Sequence, residues 1–432
     1  MRVGFYTLGC KVNQYETEVL RSKFAEQGFD IVSDEDTADV YVINSCTVTA
    51  SGDKKTRQIL HRLKRQNPDA LIALTGCMPQ AFPDKASVLT EAQVITGASN
   101  RAAVVEDVKR ALITGERVVD IVPHQRNEAF EAMKAVRFTE KTRAFVKIED
   151  GCDRWCSYCI IPKARGPVRS KPLDELKAEV EELVQNGYQE MVLVGINLSS
   201  YGKECGLRLI DAVELVCGIE GVTRVRLGSL EPELLSDDDL RRMAAQPKFC
   251  PQFHLSLQSG CDETLKRMNR HYDTAFYDDL VQRLRALFPD CAITTDIMVG
   301  FAGETEEEFA QSLAFAEHVQ FAKAHVFAYS IREGTRAATL SGQLDRRTKE
   351  ERSRRMMEVT AATRTAFLNA QIGRVYDVLF ECTVTEEGTE GYTKNYIPVF
   401  VKSERPLSRN VHPVRITAVR SDHCIGELLD SE

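Results

Sequence analysis

Short apolar runs alternate with amphipathic stretches over about the first hundred residues of the chain. Apolar runs with the length of buried parallel strands lie at residues 3–8, 40–43, 70–75 and 94–96. Stretches with helical periodicity lie between them, at residues 16–27 and 54–66. This alternation predicts an α/β domain built on a doubly wound parallel sheet. The pattern weakens beyond residue 97, and we expect a connection near residues 125–140.

A second alternating series covers residues 143–330. Its apolar runs predict strands at residues 143–148, 190–194, 224–227, 253–257, 292–299 and 325–328. Helical stretches, among them residues 174–186 and 305–318, separate these strands. Six strand–helix units over about 190 residues are too few for an eight-fold barrel, so we predict a partial (β/α)6 barrel.

The pattern changes again after a basic, helix-prone connector at residues 336–370. Stretches rich in β-branched and aromatic residues, separated by turn signals, follow at residues 375–381, 389–401 and 413–420. They predict a small all-β domain with an OB-like barrel. The fold class is therefore α/β with three domains, placed at residues 1–125, 138–367 and 371–432.

Composition and charge exclude several classes of protein. The chain has 432 residues, of which 43% are hydrophobic and 28% charged, which excludes a disordered, collagenous or coiled-coil protein. No apolar run approaches the roughly 20 residues that span a bilayer, and the N-terminus has no apolar signal-peptide segment. We therefore expect a cytoplasmic protein without a membrane partner. The net charge of −8 argues against a polycation but permits local nucleic-acid-binding patches.

The strongest local signal is a cysteine motif directly after the first barrel strand. Cys152, Cys156 and Cys159 are spaced Cys-x3-Cys-x2-Cys, as in sites that hold a metal ion or an iron–sulfur cluster. Closed sites take four ligands, and no fourth cysteine or histidine lies nearby in the sequence. Three ligands would leave one iron open to a reactant. The alternative is a zinc knuckle completed by a distant residue.

Three more cysteines, Cys10, Cys46 and Cys77, each follow a predicted strand of the N-terminal domain. Because the carboxyl ends of parallel strands share one edge of a sheet, we expect these thiols to converge. A single buried cysteine is commonly just a small core residue. The shared position of all three nevertheless favours a second cluster. The remaining cysteines show no ligand spacing and are interpreted as core or incidental residues.

Together, the two cysteine sets resemble the methylthiotransferase family of the radical S-adenosylmethionine superfamily. The resemblance extends over nearly the whole chain and is carried by residues 7–16 (TLGCKVNQYE), 46–49 (CTVT), 156–162 (CSYCIIP) and 164–166 (ARG). The segments after Cys10 and Cys46 are most similar to the branch that acts on threonylcarbamoyladenosine in tRNA. The branches that act on isopentenyladenosine or on a ribosomal-protein aspartate typically differ there, and both remain alternatives.

The resemblance implies an enzyme with two 4Fe–4S clusters, S-adenosylmethionine and a C-terminal TRAM domain. In the superfamily, the open iron of a three-cysteine cluster chelates S-adenosylmethionine, which is cleaved to a deoxyadenosyl radical. In the family, this radical takes hydrogen from carbon 2 of the modified adenosine at tRNA position 37, and the second cluster presents a methylated sulfur. The implied ligands are Cys152, Cys156 and Cys159 for the first cluster, and Cys10, Cys46 and Cys77 for the second.

Further family-like motifs imply where the cofactor binds, while no catalytic side chain is assigned beyond the clusters. The implied contacts to S-adenosylmethionine are Tyr158, Gly195, Asn197, Ser229, Glu231 and Gln258. Glycine-containing turns also occur commonly without binding a cofactor. Glu231 and Gln258 could equally be polar residues at the rim of the barrel with no contact to the cofactor. Residues that depart from the family pattern without removing a cluster ligand are Met78, Pro79, Gly228, Ala302 and Ala328.

A basic, aromatic-containing stretch at residues 391–420 predicts RNA binding. We expect phosphate contacts from Lys394, Lys402, Arg405 and Arg409, with Tyr392 and Tyr396 among the interleaved aromatic residues. A solvated charged face over core aromatics is the alternative. The implied partners are a tRNA anticodon stem-loop, an electron donor of the flavodoxin or ferredoxin type and a sulfur source. An alternative from another functional class is a non-catalytic RNA-binding module that holds zinc.

Overall fold

The computed structural model describes residues 1–135, 138 and 142–429, and it begins with a six-stranded parallel sheet. The strands are β1 (Arg2–Thr7), β2 (Asp30–Val32), β3 (Val40–Ser45), β4 (Leu71–Gly76), β5 (Val94–Thr96) and β6 (Val118–Asp120). The helices are α1 (Lys11–Glu26), α2 (Ala50–Gln66), α3 (Cys77–Ala81), α4 (Pro83–Ser87) and α5 (Val104–Thr114). The strand order β2-β1-β3-β4-β5-β6 confirms the doubly wound sheet.

The structure adds elements that the apolar pattern did not predict. Edge strands β2 and β6 have three residues each, too few to show a periodicity, and α5 lies where the pattern weakens. The first helix begins at Lys11 and not at residue 16, because the chain turns at Gly9 (φ +109°) directly after β1. The expected connection at residues 125–140 lies partly outside the described residues.

The central part of the chain forms the predicted partial (β/α)6 barrel. Its strands are β7 (Arg143–Lys147), β8 (Glu149–Asp150), β9 (Arg169–Ser170), β10 (Glu190–Val194), β11 (Arg224–Leu227), β12 (Ser229–Leu230), β13 (Gln252–Leu255), β14 (Ala292–Val299) and β15 (Lys323–Ala328). Its helices are α6 (Ile161–Arg165), α7 (Leu173–Gln185), α8 (Leu209–Gly218), α9 (Asp237–Ala244), α10 (Asp262–Arg267), α11 (Thr274–Leu287) and α12 (Glu306–Val319). Short 3-10 helices lie at Arg101–Ala103, Leu198–Ser200, Pro232–Leu234 and Arg336–Thr339.

The barrel wall consists of two parallel sheets that meet at Gly228. One sheet has the order β11-β10-β7 and the other β12-β13-β14-β15. Gly228 separates β11 from β12, and its amide donates to the carbonyl of Leu193 on β10. The predicted strand at residues 224–227 is β11, and the short strand β12 after Gly228 is an addition. β8 and β9 pair separately as an antiparallel ribbon.

The connector is the long helix α13 (Arg346–Asn369), which leads to a closed five-stranded barrel. Its strands are β16 (Val375–Thr385), β17 (Gly388–Tyr392), β18 (Pro398–Val401), β19 (Val411–Arg420) and β20 (His423–Leu428). The order β16-β17-β18-β20-β19 agrees with the expected OB-like domain. The stretch predicted at residues 389–401 is two strands separated by a turn in which Tyr396 adopts φ +65°.

Both flanking domains pack directly on the central barrel. From α1, Tyr15 and Val19 belong to the apolar core of the barrel, while Leu20 belongs to the core of the N-terminal sheet. On the other side, the Arg224 guanidinium donates to the carbonyls of Tyr392 and Asp377 at 2.9 and 2.7 Å. None of the helices in the described part of the chain has the length and apolar character that a membrane span requires.

Candidate functional site

The structure brings Cys10, Cys46 and Cys77 to one edge of the N-terminal sheet. They follow β1, β3 and β4, which are adjacent strands, and they lie at the carboxyl ends of these strands. A Cβ atom on Gly9 would lie only 2.8 Å from the Cys46 Cβ, so the loop before Cys10 is packed against Cys46. The convergence expected from the sequence is therefore what the fold produces.

The three thiols differ in their exposure and share one electrostatic environment. Cys10 is exposed, Cys46 is half-buried and Cys77 is buried. Burial raises the pKa of the Cys77 thiol to about 12, while the neighbouring Arg165 guanidinium lowers it and Cys46 and Cys10 raise it further. Desolvation keeps such a thiol protonated. A metal centre that binds the sulfur would displace this proton.

Arg165 joins this cysteine set to the central barrel. It is fully buried on α6, and its Nε donates to the Cys77 Sγ at 3.2 Å. Its remaining nitrogens donate to the Glu16 carboxylate at 2.5 Å and to the Asn13 Oδ1 at 2.6 Å, both on α1. Burial opposes the ionisation of Glu16, but Arg101, Arg165 and Lys147 outweigh it and lower the pKa of the carboxyl to about 2.

Cys152, Cys156 and Cys159 lie together on the loop between β8 and α6. The Cys159 amide donates to the Cys156 carbonyl at 3.0 Å, and the Ile161 amide donates to the Cys159 Sγ at 3.4 Å. Burial raises the pKa of the Cys159 thiol to about 12 and raises the pKa of Cys152 as well. Arg270 supplies positive charge here, with its Nη1 donating to the Cys156 Sγ at 3.2 Å.

This loop has a tightly constrained backbone at its start. Gly151 has φ +90°, and a Cβ atom there would lie 1.8 Å from the carbonyl oxygen of Pro167. Its neighbour Cys152 donates its amide to the Gly166 carbonyl at 3.0 Å. Only glycine fits both the left-handed conformation and this close backbone approach.

Asn197 and Glu231, two of the residues predicted to contact the cofactor, lie beside the same loop. Asn197 Nδ2 lies 3.8 Å from the Cys152 Sγ, and the Asn197 amide donates to Glu149 Oε2 at 2.7 Å. Glu231 forms an ion pair with Arg270, the residue that donates to Cys156. Gln258 is 8% exposed and adopts φ +66°, with its amide donating to the Asp296 carbonyl.

Tyr158 and Gly195, which are also predicted to contact the cofactor, pack closely against neighbouring residues. The Tyr158 ring packs edge-on against Phe301, with centroids 6.3 Å apart. A Cβ atom on Gly195 would lie 2.5 Å from Glu149 Oε2, so the glycine permits close approach of this carboxylate. Ser229, the last of the set, is exposed to the central cavity described below.

Buried acceptors beside Cys152 have unused hydrogen-bonding capacity. Among the described residues, Asn197 Oδ1 and Glu149 Oε1 are buried without a hydrogen-bond partner. Burial, together with Asp150, raises the pKa of Glu149 well above its ordinary value. Orphaned acceptors next to a cysteine triad fit a ligand that carries an amino group. Glu149 was not singled out from the sequence, although it stands three residues before Cys152.

The described side chains include no group of three or more His, Cys, Asp and Glu residues that could hold a single metal ion. A 4Fe–4S cluster binds each cysteine through a different iron atom, so its ligands surround a cage and do not converge on one point. The free thiols and the adjacent Arg165 and Arg270 fit such anionic clusters at both triads.

A cavity of about 660 Å³ lies between the N-terminal domain and the barrel. Its lining comprises Cys10, Lys11, Val12, Val194, Gly195, Leu227, Gly228, Ser229, Gln252, His254, Thr294, Asp296, Lys323, His325 and Tyr396. Cys10 of the N-terminal triad and the predicted cofactor residues Gly195 and Ser229 thus face one space. Its volume falls within the range of small-molecule sites.

The predicted RNA-binding residues divide into two groups. Lys402, Arg405 and Arg409 are exposed on the segment between β18 and β19. Lys394 instead donates to the carbonyl of Pro247 at 3.1 Å, so it contacts the barrel.

The aromatic residues predicted to interleave with these cations also face the barrel. The rings of Tyr392 and Tyr396 stack on each other at 4.7 Å, and the Arg143 guanidinium lies 4.7 and 5.1 Å from their centroids. The two tyrosines therefore belong to the domain interface, and Tyr396 closes one side of the cavity. Sequence spacing cannot distinguish an aromatic ring at such an interface from one on a free surface.

Comparisons with known proteins agree with this architecture. Residues 2–97 match the family described as "Uncharacterized protein family UPF0004", and residues 146–316 match the Radical SAM superfamily. The solved radical S-adenosylmethionine methyltransferase TsrM from Kitasatospora setae is similar in fold, with a TM-score of 0.59 at 13% identity over 78% of this chain and 73% of that chain.

Similarity to characterised relatives extends over almost the whole chain. It is 36% identical over 422 residues to the threonylcarbamoyladenosine tRNA methylthiotransferase MtaB of Bacillus subtilis, covering 96% of this chain and 93% of the relative. It is also 36% identical over 448 residues to the tRNA-2-methylthio-N(6)-dimethylallyladenosine synthase of Symbiobacterium thermophilum, covering 100% of this chain and 95% of the relative. The chain therefore belongs to the radical S-adenosylmethionine methylthiotransferase family.

Proposed function

We propose that this protein methylthiolates carbon 2 of N6-threonylcarbamoyladenosine at position 37 of tRNA. The observation that carries the proposal is the shared cavity. Cys10 of the N-terminal triad lines this cavity together with Gly195 and Ser229, two of the residues expected to contact the cofactor. A nucleoside in this space would be within reach of the N-terminal triad and of the residues expected to hold S-adenosylmethionine, as a reaction that joins radical formation to sulfur transfer requires.

In this proposal each cysteine triad holds one 4Fe–4S cluster. When bound, the clusters and S-adenosylmethionine supply the radical that breaks an unactivated C–H bond and the sulfur that replaces the hydrogen. Arg270 and Arg165 stabilise the anionic thiolates by donating to Cys156 and Cys77. Asn197 and Glu149 offer free acceptors to the amino group of the cofactor.

The lining of the cavity supports a polar modification on the base. The branch that acts on isopentenyladenosine handles an apolar group, which would offer no hydrogen bond to the polar side chains of His254, Asp296 and His325 that line the cavity. A threonylcarbamoyl group offers hydroxyl, amide and carboxylate groups to the same side chains. Because relatives of both branches are 36% identical to this chain, the chemistry of the cavity is the more specific support.

We further propose that residues 1–125, 138–367 and 371–432 act as the second-cluster, radical and RNA-binding domains. The C-terminal barrel would hold the tRNA anticodon stem-loop through phosphate contacts of Lys402, Arg405 and Arg409. An electron donor of the flavodoxin or ferredoxin type and a sulfur source complete the reaction. We place the reaction in the cytoplasm because its tRNA substrate is found there.

Nucleoside mass spectrometry of tRNA from cells that lack the gene tests this function. We expect 2-methylthio-N6-threonylcarbamoyladenosine to disappear and its unthiolated precursor to accumulate. A gene copy with Cys152, Cys156 and Cys159 changed to alanine should not restore the product, whereas a Cys205→Ala copy should, because this exposed cysteine lies outside both triads. Loss of the isopentenyl derivative alone, or of a ribosomal-protein modification alone, would contradict the proposal.

A further inference from the structure

Two lysines from different domains meet in the cavity. Lys11 is the first residue of α1 and follows Cys10 in the N-terminal domain, whereas Lys323 is the first residue of β15 in the barrel. Both residues line the cavity, and both are exposed. Over the described ranges, the side-chain ammonium group of neither lysine has a hydrogen bond or an ion pair with another residue.

Lys323 and His325 lie two residues apart on β15, so they share the face of this strand that lines the cavity together with Lys11. Burial lowers the pKa of this histidine, Asp296 opposes the effect, and both Lys323 and Lys11 lower the pKa further. The effect of Lys11 is notable because it reaches His325 from the N-terminal domain. The two lysines therefore place their charges close to one side chain, although more than 300 residues separate them in the sequence.

The nearby carboxylates have other partners and do not neutralise the lysines. Asp296 lies 3.3 Å from the His254 Nε2, and Glu190 receives the Arg226 Nε at 2.8 Å. The amino end of the 16-residue helix α1 adds further positive potential, since Lys11 and Val12 line the cavity there. Unpaired positive charges inside a concave site repel each other until an anion binds between them.

We propose that Lys11 and Lys323 bind the threonyl carboxylate of the substrate and thereby select this nucleoside over one with an uncharged modification. The inference rests on the proposed function. It assigns to the cavity a carboxylate subsite built from both domains, one lysine beside the N-terminal triad and the other on the barrel wall. A charge-assisted contact to each carboxylate oxygen is the geometry that two ammonium groups favour.

The test compares the binding of three anticodon stem-loops to the cluster-loaded protein without S-adenosylmethionine. Their position 37 carries adenosine, N6-threonylcarbamoyladenosine or the methyl ester of the latter, which removes the negative charge. We expect the wild-type protein to bind the acid about 10-fold more tightly than either other RNA, and Lys323→Met or Lys11→Met to abolish most of this preference. Lys323→Arg should retain it, because the charge is kept.

A matched control separates this effect from a general reduction of positive charge. Lys177→Met removes an exposed lysine on α7 that pairs with Glu181 at 3.8 Å, and it should leave the preference unchanged. Iron content and thermal unfolding identify a variant that does not fold. If Lys11→Met loses its cluster because it adjoins Cys10, Lys323→Met alone decides the question.

Three results would overturn the inference: an ester that binds as tightly as the acid, lysine variants that keep the full preference, or variants that lose affinity equally for all three RNAs. The last result would assign the lysines to backbone phosphates. The proposed function fails separately, if the wild-type protein methylthiolates a stem-loop with isopentenyladenosine and not one with threonylcarbamoyladenosine.

Discussion

At the scale of single residues, two arginines connect the thiols to the rest of the protein. Arg165 donates to Cys77 and Arg270 donates to Cys156, and each also pairs with a carboxylate, Glu16 and Glu231 respectively. Burial and neighbouring thiols raise the pKa values of Cys77 and Cys159, so the arginines supply the charge that favours thiolates. The sequence pointed to all six cysteines by spacing and strand position. It placed Arg165 in a family-like motif but gave neither arginine a role, because their partners come from distant segments.

Arg165→Met should destabilise the protein strongly. The substitution leaves Glu16 buried with less positive charge and removes the donor to Cys77, and breaking a buried ion pair in this way costs about 3–5 kcal/mol. Thermal unfolding of the cluster-loaded protein measures the destabilisation. Arg241→Met, which removes an arginine with 66% side-chain exposure, is the control and should change the transition little. Equal transitions for the two variants would show that the network around Glu16 does not stabilise the fold.

At the scale of elements, helix α1 forms the interface between the N-terminal domain and the barrel. Its Tyr15 hydroxyl donates to Glu179 Oε1 on α7 at 2.8 Å, and Val12 packs against Val192 and Val194 of β10. The helical period was visible in the sequence from residue 16 onward, and β1 was visible as an apolar run. The first turn of the helix was not, because Lys11, Asn13 and Gln14 give it a polar composition.

The turn before α1 provides a test of how this element positions the N-terminal triad. Gly9→Ala would force a left-handed backbone on alanine and place its Cβ 2.8 Å from the Cys46 Cβ, so Cys10 and Cys46 must move apart. We expect about half of the iron to be lost, with the radical cluster retained. Gly28→Ala after the same helix has φ +80° but nothing within 4 Å of the new Cβ, so it should keep its iron. Iron analysis after anaerobic reconstitution would contradict this prediction if both variants retained the same content.

At the scale of the whole molecule, residues of all three domains meet at one cavity. The alternation of strands and helices predicted the longer strands of the first two domains, since such patterns are local along the chain. The way the sheets assemble was not predictable from these patterns. Tyr396 illustrates this point, because the sequence suggested a base-stacking surface and the structure places its ring at the cavity, 4.6 Å from the Arg226 guanidinium.

The C-terminal barrel should bind phosphates through its free cations. The affinity for tRNA falls as the salt concentration rises. Neutralising Lys402, Arg405 and Arg409 should make the plot of log affinity against log salt shallower, by up to about 0.7–0.9 for each phosphate that is no longer bound. Lys394 is left unchanged because it donates to Pro247. A control variant neutralises Lys177, Arg241 and Lys266, whose side chains are 56%, 66% and 70% exposed on the barrel helices. Identical tRNA-binding slopes for the two triple variants would place the RNA on another surface.

We expect the two cysteine triads to divide the reaction between them, with radical formation at the barrel triad and sulfur insertion at the N-terminal triad. A variant with Cys10, Cys46 and Cys77 changed to alanine is reduced anaerobically with S-adenosylmethionine and a threonylcarbamoyladenosine-containing tRNA, and both products are quantified by mass spectrometry. We predict that deoxyadenosine still forms, because Cys152, Cys156 and Cys159 lie on a separate loop of the barrel, and that no methylthio nucleoside appears. Methylthiolation at the wild-type rate, or the absence of deoxyadenosine in a variant that keeps half of its iron, would contradict this division.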